Sequence, residues 1–117
     1  MTPEGKVKHR IRQLLADFRP YSHAPVQNGM GKPALDFNGC HKGFYFTIEA
    51  KAPGEKATKR QTQTMREVAA AGGCVFLIDD VGCDDWEALY DWLKDPKAEV
   101  LGPQALVAMA INIEDNA

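Results

Sequence analysis

The chain has 117 residues, 44% hydrophobic and 26% charged, which supports one compact core, so residues 1–117 are read as a single domain. No run approaches the roughly 20 apolar residues that span a membrane. Met1 is followed by polar residues where a signal peptide needs an apolar block, so a soluble, cytoplasmic protein is expected. The net charge of -2 hides an asymmetry: residues 1–66 carry 12 Lys/Arg against 5 Asp/Glu, and residues 67–117 carry 2 against 11.

Val7, Ile11, Leu14, Leu15 and Phe18 recur at helical spacing, predicting an amphipathic helix from Pro3 to Phe18 with Glu4 on the same stripe. Arg19 to Pro33 carries three prolines and two glycines, the composition of an irregular segment or a short edge strand. Phe44 to Lys51 alternates, with Phe44, Phe46, Ile48 and Ala50 on one face and Tyr45, Thr47, Glu49 and Lys51 on the other, which is a strand. Ala52-Pro53-Gly54 ends it. A second helix begins at Thr58, where Thr58 and Gln61 have capping-box spacing and Met65, Val68 and Ala69 form the apolar stripe, and it stops at Gly72-Gly73.

Cys74 to Ile78 is short and continuously apolar, as in a strand buried on both faces. Asp84 is placed to cap a third helix with Trp86, Leu89, Tyr90 and Leu93 on one face, ending before Pro96. Val100 to Ile113 reads equally as helix or strand. Cys40, Cys74 and Cys83 lack C-x-x-C spacing, and Cys40 and His41, as strand neighbours, point to opposite faces, so idle thiols are expected in place of a zinc site. His9, His23 and His41 are read as incidental to any chemistry.

The segment that carries chemistry is Asp36 followed by Glu49-Ala50-Lys51. Glu49 and Lys51 lie two apart on a strand and share a face. Placing two ionisable groups among Phe46, Ile48 and Ala50 is costly unless they have a role there. A two-residue hairpin loop at Lys42-Gly43 pairs residues whose numbers sum to 85, which sets Asp36 opposite Glu49. Asn38-Gly39 has the stronger turn propensity, but turning there would pair the strand with the proline-rich segment. Opposed Cβ atoms lie about 4.5 to 5.5 Å apart, so two carboxylates there repel unless a cation intervenes. Asp36, Glu49 and the main-chain carbonyl of Ala50 suit Mg²⁺ or Mn²⁺, and Lys51 is placed to offset charge on a phosphate or to act on an attacking water.

Pro33-Ala34-Leu35-Asp36 followed by Glu49-Ala50-Lys51 resembles the P-D-(D/E)-x-K nuclease signature, although the proline stands three residues before Asp36. Ile48-Glu49-Ala50-Lys51-Ala52-Pro53-Gly54, then Lys56 and Gln61, resembles the VRR-NUC branch of that superfamily, in which E-x-K-x-P-G precedes a helix bearing a glutamine. The match runs from about Glu4 to Ile78, leaving residues 79–117 as an extension. It implies a restriction-endonuclease-like α/β fold with a mixed central sheet flanked by helices, a DNA substrate, and site roles for Glu4 and Gln61. Stand-alone members of this size are similar to Holliday-junction resolvases acting on branched DNA as homodimers. Lys32, Lys56, Lys59 and Arg60 are candidate DNA contacts. Bland readings stand beside these: a surface ion pair for Glu49 and Lys51, a turn role for Asp36, a capping role for Gln61, a solvated face for the basic residues, and a non-catalytic DNA-binding module or a flap or linear-DNA nuclease for the whole.

Overall fold

A computed structural model describes residues 1–26 and 29–111. Helix α1 spans Pro3–Phe18, as the periodicity predicts. The Thr2 side chain accepts the Gly5 N–H, Pro3 enters the first turn, and Val7, Ile11, Leu14 and Leu15 form the buried stripe. Strand β1, Tyr21–His23, is the short edge strand within the proline-rich stretch, of which residues 27 and 28 lie outside the described residues.

β2 (Phe37–His41) and β3 (Phe44–Ala50) form the hairpin turning at Lys42-Gly43, both with positive φ, as a tight primed turn requires. The register pairs Phe37 with Ile48 and His41 with Phe44, the pairing expected from the later turn. Helix α2 (Lys59–Ala70) starts with a complete Thr58–Gln61 capping box. It crosses over to β4 (Cys74–Ile78), parallel to β3. Among the described residues the sheet order is β1-β2-β3-β4, a mixed sheet in an α/β fold.

Two apolar layers sandwich it. Phe37, Phe46, Ile48, Ala50, Phe76 and Ile78 pack on one face with Val7, Ile11 and Leu14 of α1 and with helix α3, Asp84–Lys94. On the other face Leu35, Val75 and Leu77 meet Met65 of α2 and Ala105 and Met109 of α4, Pro103–Ile111. His41 belongs to the first layer, where its Nε2 lies 2.9 Å from the Leu93 carbonyl oxygen, while Cys40 is exposed on the opposite face.

Two details of α3 depart from expectation. Its N-cap is Cys83, whose Sγ accepts the Trp86 N–H at 3.4 Å, and Asp84 is the first helical residue. Tyr90 is exposed and Trp92 takes the core position against Phe46 and Phe76, because α3 meets the sheet rotated from the face the pattern indicated. The ambiguous tail is both things in turn: Leu101 bridges to Val75 in parallel, then α4 begins, and residues 112 and 113 lie outside the described residues. The turn between them is clamped by buried Asp85, whose carboxylate accepts the N–H groups of Leu77 at 2.7 Å, Gln104 at 2.6 Å and Ala105 at 3.1 Å. A Cβ on Gly102 would collide with that carboxylate, so only glycine fits there.

Candidate active site

The hairpin register, continued one step past Phe37, brings Asp36 to Glu49 at the end of the sheet that α2 covers. Asp36 Oδ2 accepts the Ala50 N–H at 2.9 Å. An extended residue directs its N–H and C=O to the same side of the strand. The Ala50 carbonyl therefore leaves toward Asp36, while the Lys51 N–H bonds the Ile78 carbonyl oxygen of β4 at 2.9 Å. Glu49 is only 3% exposed. Lys51 Nζ lies 3.9 Å from its Oε2 and is itself largely buried, so the pair is not the surface ion pair of the bland reading.

Burial first, and then the adjacent charge of Asp36, push the Glu49 carboxyl up to about 8, against a smaller opposing pull from Lys51. The two carboxyl groups are opposed across the hairpin, and like charges so placed favour a proton on one of them. Glu49, the more deeply buried, holds it at neutral pH. A cation between the two groups would relieve their repulsion. Two carboxyl groups opposed across the hairpin and a carbonyl directed to the same side are hard oxygen donors of the kind that could hold Mg²⁺ or Mn²⁺. Among the described residues no group of three or more His, Cys, Asp or Glu side chains is set to hold a metal, so the fit rests on this pair and the backbone.

Lys8, which the sequence motifs do not single out, belongs to the site. Its Nζ lies 3.2 Å from Glu4 Oε2 and 3.5 Å from Asp36 Oδ1. Partial burial works against its charge, but the pull of Asp36 and Glu4 prevails and holds the ammonium above the ordinary lysine value. The i, i+4 spacing of Glu4 and Lys8 on α1 is the signal that could have found it. Glu4 reaches the carboxylates through Lys8 and does not line the pocket.

A pocket of about 370 Å³ opens over the pair, with Asp36 and Glu49 at its wall and Lys32, Arg60, Gln61 and Thr64 around it. Gln61 is present, yet its Oε1 accepts the Thr58 N–H at 2.9 Å, so it serves as the capping partner. Of the four basic candidates, Lys32 and Arg60 reach this rim. Lys56 lines a separate hollow beside Leu77, Asp79 and Gln104, and Lys59 is exposed on the first turn of α2 away from both.

Compared with family models, curated proteins and solved structures, the chain has no match in any of the three. Among the described residues no helix is long and apolar enough to cross a membrane.

Proposed function

We propose that the protein is a divalent-metal-dependent phosphodiesterase, and more particularly a DNA endonuclease of the VRR-NUC type acting as a homodimer on branched DNA. The observation that carries this reading is Glu49, buried opposite Asp36 with its carboxyl pushed up to about 8, with Lys51 beside it and a rim of Lys32 and Arg60.

Asp36, Glu49 and the Ala50 carbonyl would hold the ion, whose chemistry at a phosphodiester is Lewis-acid stabilisation of the charge that grows on the phosphoryl oxygens. Glu49 would have to be ionised to serve as a ligand, so metal binding would release its proton to solvent. Lys51 offsets charge at the scissile phosphate and orients a water for attack in line with the leaving oxygen. Lys32 and Arg60 hold the flanking phosphates. A plasmid-nicking assay with and without Mg²⁺ or Mn²⁺ tests the class, and a panel of linear, flapped and four-way substrates tests the particular. Absence of cleavage under every metal condition overturns the reading.

One observation favours a second reading, a DNA-binding module without turnover: Lys8 and Lys51 already answer the carboxylate charge with the protein's own ammonium groups. That module would show no rise in melting temperature with Mn²⁺.

A further inference from the structure

The sheet face toward α2 is only partly covered. Helices α2 and α4 pack over β3 and β4. The alternation and register place Tyr21 and His23 of β1, Cys40 of β2 and Tyr45 of β3 together beyond that cover, with Tyr21 and Tyr45 both opposite Cys40. Tyr21 is 76% and Tyr45 47% exposed, and His23 and Cys40 are exposed as well. Large apolar rings left in water on a sheet face ask for an occupant.

Tyr45 is held in place. Its hydroxyl donates to Asn38 Oδ1 at 3.3 Å. Asn38 is itself fixed, donating to the Leu35 carbonyl oxygen at 3.0 Å and accepting from Thr47 Oγ1 at 2.8 Å. Gly73 lets the ring lie close: a Cβ there would stand 3.1 Å from Tyr45 Cδ1. Strands two apart lie roughly 10 Å from each other. The two tyrosines therefore flank a trough floored by the small Cys40, with the Tyr21 and His23 rings 6.5 Å apart along one wall.

Two further features identify what fits. The trough borders, at Tyr45, a separate hollow of about 580 Å³ that is also lined by Asn38 and Glu67 and shares Lys32, Pro33, Ala34 and Thr64 with the pocket over Asp36 and Glu49. Arg19, two residues before Tyr21, and Lys42, two after Cys40, make one end basic, and at the other Lys32, paired to Glu67 at 3.7 Å, leads to Arg60 on the rim of the pocket. We propose that this face binds an unpaired DNA strand, stacking bases on Tyr21 and Tyr45 while the backbone runs along the basic ends into the pocket. Only unstacked bases can reach aromatic rings on a sheet, so the surface selects single-stranded segments over regular duplex. The proposal rests on the phosphodiesterase reading of the adjoining pocket and gives it a substrate preference, the unpaired arm of a branched or flapped DNA.

The test is fluorescence anisotropy of a labelled oligothymidylate and of a blunt duplex of the same length, with the full chain in EDTA so that nothing is cut. Wild type is expected to bind the single strand more tightly. Tyr21→Ala and Tyr45→Ala each weaken that binding roughly 5- to 150-fold, and Tyr21→Phe and Tyr45→Phe leave it within a few-fold. Bound oligonucleotide slows maleimide modification of Cys40 in wild type, which places the strand in the trough. Melting curves confirm that the exposed Tyr21 variants keep the fold. Equal binding of single strand and duplex, alanine variants that bind like wild type, or an unprotected Cys40 overturns the proposal. So does a change in oligomeric state on light scattering of the alanine variants with oligonucleotide binding intact, since that assigns the face to a second copy. The two readings fail separately. Cleavage that ignores both tyrosines removes the stacking face and leaves the nuclease, whereas tyrosine-dependent binding without cleavage under any metal removes the nuclease and leaves the face.

Discussion

Replacing Glu49 with glutamine should make the protein more stable above neutral pH, and the size of the gain follows from the proton Glu49 retains. Its carboxyl is raised from 4.5 to about 8 by burial and by Asp36. A folded-state value above the unfolded one contributes stability that is fully present below about pH 4.5 and is lost as pH rises through about 8. Each tenfold change in proton affinity between the folded and unfolded chain is worth about 1.4 kcal/mol, so the loss reaches at most about 5 kcal/mol by pH 9. That is a large share of the roughly 5 to 15 kcal/mol that holds a small domain together. Glutamine fills the same space with no charge to bury. Urea unfolding of both proteins in EDTA from pH 5 to pH 9 should give a stability difference that grows in the variant's favour from about pH 5 and levels off above about pH 8. A difference that stays flat across that range would mean that Glu49 is ionised in the folded protein at neutral pH, and the argument for a cation position would fall with it.

The remaining predictions follow from the same geometry. Mn²⁺ should raise the wild-type melting temperature by an increment that grows between pH 6 and pH 8, as Glu49 ionises more readily, and should do nothing for Asp36→Ala or Glu49→Ala, which are expected to lose cleavage with the fold kept. Lys51→Ala should lose turnover while retaining Mn²⁺ and DNA binding, and Gln61→Ala should lose less; equal loss of DNA affinity in the Lys51 variant would make that lysine a phosphate anchor. Gly102→Ala, by driving a methyl into the Asp85 carboxylate, should cost about 3 kcal/mol or more in chemical denaturation by breaking three buried hydrogen bonds, and an unchanged midpoint would refute the clamp. The homodimer is proposed because a four-way junction needs two matched cuts, and α4 leaves Leu106, Val107 and Ile111 exposed as a contact. Val107→Glu should then give a monomer by light scattering with the fold intact, and a wild-type monomer that makes paired cuts would sink it.

Local rules were enough for what depends on neighbours in the chain. Pro3 and Thr58 mark their helix starts, Gly72-Gly73 stops α2, and the alternation from Phe44 onward defines β3. The turn at Lys42-Gly43 determined the register, and with it the meeting of Asp36 and Glu49, because side chains on paired strands face each other by count alone. What the sequence could not decide is which of these faces is covered, since coverage depends on elements far along the chain. α2 and β4 close over Glu49 and turn an alternating polar position into a buried carboxyl raised to about 8, while the same face leaves Tyr45, at the other end of β3, and Tyr21, two strands away on β1, exposed to water. Lys8 joins Asp36 only because α1 packs across the sheet, and Lys56 misses the pocket because the loop before α2 carries it to the hollow beside Leu77 and Asp79, while Lys59 is exposed on the first turn of α2. Asp85 reads in the sequence as one more acid in an acidic half, yet three backbone N–H groups from β4 and α4 converge on it, a convergence that exists only once the chain has closed around it.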